Sequence, residues 1–332
     1  MVLVDSQAVK RRVFVLFLDG VGLGVADPER NPFSVARTRH IREALGGQPL
    51  LQASAPCVGP QATLVSIDAC LEMPGDPQSA SGQAALLTGR NVPQEIGGHY
   101  GPKPNPPIAG ILREGNLFTE VVRRGGTAGL LNAYPPRYFE MIESGRRLYS
   151  SIPLALDAAG LPLRTATDIQ EGVALSADFT GKGWSEQPGF PPVPIYARAE
   201  SGGKMADLAR QFDLSWFDFW PSDVAGHRSK MAQAVELVEH LDEVLGGFLE
   251  AWRDGPDLAL ITYDHGNLED LSDRGHTRNP VPGILIGPAD LRAELAPRLR
   301  RLTDFYDVIL DVLFGNGPSR HHGDEPVPVR PP

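Results

Sequence analysis

Four short segments of the chain hold the residues whose types and spacing could do chemistry. Asp19 closes the apolar run Val13 to Leu18 and is followed by Gly20-Val21-Gly22-Leu23-Gly24. Ser79 lies in Gly75-Asp76-Pro77-Gln78-Ser79-Ala80-Ser81-Gly82-Gln83, where turn-forming residues give way to helix formers. Asp223 and His227 bracket Val224-Ala225-Gly226 just after the apolar run Leu214 to Trp220. Asp264-His265 follows a further run, Leu258 to Tyr263, with His276 a short way beyond.

A carboxylate and an imidazole four apart in a helical turn point the same way and suit one divalent ion. Adjacent Asp and His can reach one ion from two sides where a strand opens into a loop. A serine near a helix N-terminus meets free N–H groups and the positive end of the dipole, which favour a phosphate and a developing alkoxide. Each segment also has a plainer reading. Asp19 would serve as a turn residue, Ser79 as an N-cap, Asp223 as the cap of an ordinary helix, and His276 as a surface residue. The glycines after Asp19 do not make a dinucleotide loop, because G-x-G-x-G lacks the G-x-G-x-x-G spacing and Asp19 would repel a pyrophosphate. A serine hydrolase built on Ser79 would lack the G-x-S-x-G elbow. Joint occurrence favours the chemical reading, since the segments end strands or open helices, where parallel sheets gather their ligands.

The positioning elements follow from the apolar runs. Strands are expected at Val13 to Leu18, Thr127 to Leu131, Leu214 to Trp220, Leu258 to Tyr263 and Ile284 to Ile286. An amphipathic helix is expected from Ser229 to Trp252, and a shorter one from Phe118 to Arg124 that closes at Gly125-Gly126. Strand–helix–strand order makes the fold class α/β, a doubly wound, mostly parallel sheet flanked by helices. The catalytic core is expected to comprise residues 1–133 and 204–318. A small inserted cap is expected over the proline-rich stretch 134–203, and a flexible tail, with His321 and His322 solvated, over 319–332.

The 332 residues are 42% hydrophobic, enough for a large core, and carry a formal charge of −10. That charge argues against a nucleic-acid or anionic-membrane surface, so an anionic substrate would need local cations such as bound metals. Two cysteines, Cys57 and Cys70, form no disulfide framework. No apolar stretch approaches the roughly 20 residues of a membrane span, so a cytoplasmic location is expected. Nothing in the sequence sets the oligomeric state.

In its order, the set Asp19, Ser79, Asp223, His227, Asp264, His265 and His276 resembles the full site of the metal-dependent alkaline phosphatase superfamily. Within it, the resemblance is to the phosphopentomutase and cofactor-independent phosphoglycerate mutase branch, over roughly residues 10 to 125 and 200 to 315. It implies that Asp19, Ser79, Asp264 and His265 hold one metal, that Asp223, His227 and His276 hold a second, and that Ser79 is the nucleophile. The Asp223–His227 spacing is similar to the phosphoglycerate mutase pattern and the His265–His276 spacing to phosphopentomutase. Gln83 stands where both families carry histidine, and a sulfatase would need Pro and Arg at Ser81 and Gln83. There is no room for the large inserted transferase domain of the phosphoglycerate mutases.

The expected function is therefore two-metal phosphoryl transfer on a small phosphorylated metabolite, with Mn2+ or Zn2+ as cofactors and Mg2+ as a further candidate. The small cap and Gln83 favour hydrolysis through a phosphoserine. Phosphomutase activity is the first alternative, and a non-catalytic, metal-stabilised binding domain the second. His99, Lys103, Arg90 and Arg278 lie near the motifs but read as surface or structural residues.

Overall fold

The computed structural model describes residues 10–315. The tail 319–332, with His321 and His322, lies outside the described residues.

Seven strands, β1 (Val13–Leu18), β2 (Cys57–Val58), β3 (Ala62–Ile67), β4 (Ala128–Leu130), β5 (Leu214–Phe219), β6 (Leu258–Thr262) and β7 (Val281–Ile286), form one sheet in the order β2-β3-β7-β6-β1-β5-β4. β1 runs parallel to both its neighbours, with Leu18 opposite Phe219 and Phe17 opposite Thr262. Its residues and those of β5 and β6 are buried throughout, which is why these strands read as continuous apolar runs. Their carboxyl ends finish at one level, and Asp19, Asp223 and Asp264 all follow from them.

The parallel half of the sheet is β6-β1-β5-β4. β7 pairs antiparallel with both β6 and β3, and β2 pairs antiparallel with β3, so the sheet as a whole is mixed. No helix lies between β6 and β7. Without a crossover element the chain returns beside β6 in the opposite direction. β3 escaped the sequence reading because Thr63 and Ser66 interrupt its apolar pattern, although Thr63 is buried.

The two helices whose bounds the sequence suggested are present. Met231–Trp252 lays Ala234, Val238, Leu241, Leu245, Phe248 and Trp252 against the core, and Phe14 of β1 meets the Phe248 ring at 5.2 Å. It packs on the helix Arg198–Ala209 at backbone contact: a Cβ on Gly202 would sit 1.9 Å from Val244 O. The helix Leu117–Arg123 starts from an Asn116 capping box and ends before Gly125, whose φ is +80°. Ser79–Thr88 has every residue buried and carries no charged side chain, so it runs through the interior.

Between residues 134 and 203 lie four short helices, Pro136–Glu143, Ser151–Ala158, Ala166–Gln170 and Lys182–Ser185, and the start of Arg198–Ala209. Ile152, Leu154, Ala155 and Leu156 join the main core. Ala166, Ile169, Ala174 and Trp184 form a separate small cluster with Ala133.

Candidate two-metal centre

All seven residues singled out in the sequence meet at the carboxyl ends of β1, β5 and β6. Asp19, Asp264 and His265 form one group and Asp223, His227 and His276 another, the ligand-type atoms within each lying no more than 4.8 Å apart. His265 Nε2 lies 3.3 Å from Asp19 Oδ1 and 3.6 Å from Asp264 Oδ2. His227 Nε2 is 3.2 Å from Asp223 Oδ1 and 3.3 Å from His276 Nε2. The stacked His265 and His276 rings, 3.7 Å between centroids, join the two groups.

Ser79 Oγ is 3.0 Å from His265 Nε2. Gln78 is the N-cap residue of Ser79–Thr88 and makes no side-chain cap bond, so Ser79 is the first helical residue rather than the cap. Ser81, also in this turn, is fully buried and committed: its Oγ donates to Gln78 O and accepts from Tyr100 N–H. Ser79 is thus the hydroxyl presented to the ligand groups.

Backbone carbonyls fix how the imidazoles face. Nδ1–H of His227 donates to Arg274 O at 2.6 Å, that of His276 to Pro77 O at 2.7 Å, and that of His265 to Gly266 O at 3.3 Å. A carbonyl can only accept, so in each neutral ring the proton sits on Nδ1 and the Nε2 lone pair faces the centre. Asp19 Oδ1 is buried and no hydrogen bond reaches it. Three inward lone pairs and an orphaned carboxylate oxygen are the donor chemistry that borderline divalent ions require.

Electrostatics point the same way. Burial, then the charges of Asp223 and Asp218, hold the Asp19 carboxyl well above the ordinary range, and burial with Asp19 does the same to Asp264. Burial and the neighbouring His265 push His276 down to about 4, leaving it neutral at physiological pH. Bound cations would relieve this carboxylate crowding.

Several supporting roles were not legible in the sequence. Gln83 Nε2 donates to Asp19 Oδ2 at 3.2 Å and to Asp264 Oδ2 at 3.0 Å, bridging two carboxylates. Asn267 Nδ2 donates to Asp223 Oδ1 at 2.8 Å. Glu269, 1% exposed, accepts from Gly22 N–H, Asn267 N–H, Thr277 Oγ1–H and Asn279 Nδ2–H. It also accounts for the glycines after Asp19, because a Cβ on Gly22 would lie 2.3 Å from Glu269 Oε1. Gln83 and Asn267 sit beside residues the sequence did flag. Glu269 carried no signal, since its partners come from three separate segments.

Of the cations near the motifs, Arg90 pairs with Glu95 and Glu114, and Arg278 donates to Gly75 O and Met73 O. Lys103 alone of these lines the cavity that opens beside Ser79 and Asp19.

A sequence model of the metalloenzyme superfamily matches residues 198–313, a span that contains Asp223, His227, Asp264, His265 and His276. Over that segment the chain is similar to the metalloenzyme superfamily. Among the curated proteins it is similar to is the 2,3-bisphosphoglycerate-independent phosphoglycerate mutase of Desulforudis audaxviator, 32% identical over 136 residues, or 37% of this chain and 26% of that protein. The same mutase of Cereibacter sphaeroides strain ATCC 17025 is 36% identical over 109 residues, or 29% of this chain and 22% of that protein. The chain thus spans about a quarter of the length of the curated relatives it matches. In fold it is similar to a solved Pyrococcus horikoshii protein, with a TM-score of 0.56 and 13% identity over 94% of this chain and 100% of that one. A cold-active alkaline phosphatase of a Shewanella species aligns with a TM-score of 0.52 and 12% identity, over 91% of this chain and 99% of its own.

Proposed function

We propose that the chain is a metal-dependent phosphoryl-transfer enzyme of the cytoplasm that hydrolyses a small phosphomonoester through a phosphoserine at Ser79. The observation that carries this reading is Ser79 Oγ placed 3.0 Å from His265 Nε2, beside two converging Asp/His groups. Asp19, Ser79, Asp264 and His265 would hold one divalent ion, and Asp223, His227 and His276 the other. When bound, such ions act as Lewis acids on the phosphoryl oxygens and favour the ionised serine. Nitrogen and oxygen donors in this mixture suit manganese or zinc, with magnesium a third candidate.

The chain's own residues supply the remaining parts. Ser79 Oγ attacks phosphorus as it gives its proton to solvent, and the P–O bond to the alcohol breaks in line, the leaving oxygen taking a proton from solvent; a water then attacks the phosphoserine, the Ser79 oxygen leaves and regains a proton, and inorganic phosphate is released. Gln83 holds Asp19 and Asp264 in place, and the carbonyls of Arg274, Pro77 and Gly266 orient the three imidazoles. The helix that begins at Ser79 turns its positive end toward the incoming phosphate. The stretch 134–203 would act as the cap, since Tyr138, Met141 and Trp184 line the cavity beside Ser79.

A phosphomutase is the second reading, favoured by the mutase relatives. A triad hydrolase fits less well, because His265 Nδ1 faces Gly266 O where a triad needs an orienting carboxylate. The test follows inorganic phosphate and positional isomers together, using metal-loaded protein with phosphorylated sugars and glycerates. Released phosphate without isomer supports hydrolysis, whereas isomer with almost no free phosphate establishes the mutase. Absence of any turnover would leave a metal-stabilised binding domain.

A further inference from the structure

A cavity of about 750 Å³ begins at Asp19, Ser79 and Gln83 and extends away from the metal ligands. Its size suits a whole drug-sized molecule and far exceeds what a three-carbon phosphoester needs. Leading from the centre are three rings in series. Trp220 lies 6.2 Å from Tyr134 with planes 14° apart, and Tyr134 lies 4.4 Å from Tyr138 at 30°. Trp184 and Phe190, edge to face at 5.2 Å, and Met141 supply further apolar wall.

The cations of the cavity do not form a clamp for a second acid group. Arg147 lies over the Tyr138 ring at 4.9 Å, Lys103 donates to Leu148 O, and Arg137 is exposed. Flat aromatic faces and soft Met sulfur are surroundings that bind a ring.

We propose that this cavity receives the alcohol half of the phosphomonoester and selects an alcohol that carries an aromatic or comparably flat, apolar ring. The inference rests on the phosphoryl-transfer reading and deepens it by naming the substrate class.

The test compares kcat/KM for 2-phenylethyl phosphate and ethyl phosphate with manganese-loaded and zinc-loaded protein. Both are esters of simple primary alcohols of similar acidity, so bond breaking is matched and the ring is the variable. The phenylethyl ester should be preferred at least about tenfold, a modest fraction of what burying a phenyl ring can yield. Tyr138→Ala and Trp184→Ala should each shrink that ratio, while Tyr138→Phe keeps most of it. Turnover of both esters at equal kcat/KM overturns the ring selectivity alone and leaves phosphoryl transfer standing. A preference that survives both alanine variants intact overturns the assignment to this cavity. Turnover of neither ester overturns this inference, and the phosphoryl-transfer reading then rests on the sugar and glycerate assay alone.

Discussion

The Gln83 amide is the residue on which the first ligand group turns. It donates to one oxygen of Asp19 and one of Asp264, so it holds apart two carboxylates that would otherwise repel. Gln83→Leu should weaken metal binding at the Asp19/Asp264/His265 group by about 10–100-fold, the usual effect of losing a partner behind a ligand. Calorimetric titration would read this, and an equal loss at the Asp223/His227/His276 group would contradict it. At the same scale, Ser79→Ala should keep its metal while phosphoryl transfer falls by several orders of magnitude. Phosphate trapped on Ser81 instead would contradict the nucleophile assignment. Protonation gives a third expectation. Burial holds Asp19 and Asp264 above the ordinary carboxyl range, and metal binding needs both ionised, so binding should be linked to proton release. Titration in buffers of different ionisation enthalpy should show proton release, with affinity falling as pH is lowered.

At the scale of elements, the turn after β1 and the loop after β6 are built as one unit around Glu269. Its four donors would be left without an acceptor in Glu269→Ala, which should cost at least about 3 kcal/mol in equilibrium urea unfolding. Gly20 serves the same junction from the other side. Its φ is +71°, and a Cβ there would lie 2.7 Å from Asp223 Oδ1. Gly20→Ala should lose roughly 1–2 kcal/mol to backbone strain and, by displacing Asp223, lower metal content at the second group. Atomic absorption on the purified variant checks this, and full metal content would refute it.

For the whole molecule, metal and stability are linked through the buried carboxylates. Asp218, in β5, is pushed up to about 8 by burial and by Asp264, and Asp19 and Asp264 are raised as well. A folded pKa above the unfolded one gives stability that is present below the ordinary carboxyl value near 3.8 and lost as pH rises through the folded value. The metal-free protein should therefore weaken between about pH 4 and pH 8. Bound cations offset that loss, so a chelator should lower Tm more at about pH 8 than at about pH 5.5. Each site saturated a thousandfold above its Kd contributes about 4 kcal/mol. A chelator effect independent of pH would count against the carboxylate cluster as its source.

The sequence by itself determined the central strands and the long helix, and singled out the seven residues that the fold brings together. These are local signals, for buried parallel strands read as apolar runs and their carboxyl ends are where acidic and imidazole groups stand out. The direction of β7, the presence of β3 and the packing of residues 134–203 were decided by tertiary structure. β7 returns antiparallel because no helix separates it from β6, and β3 hides behind the buried polar Thr63. Only the folded chain shows Gln83 spanning Asp19 and Asp264, or Glu269 filling the space that Gly22 leaves. Such contacts join residues far apart in the chain, and no periodicity or spacing records them. The choice between Ser79 and a plain cap was likewise tertiary, since it depends on His265, 186 residues away in sequence, lying 3.0 Å from its hydroxyl.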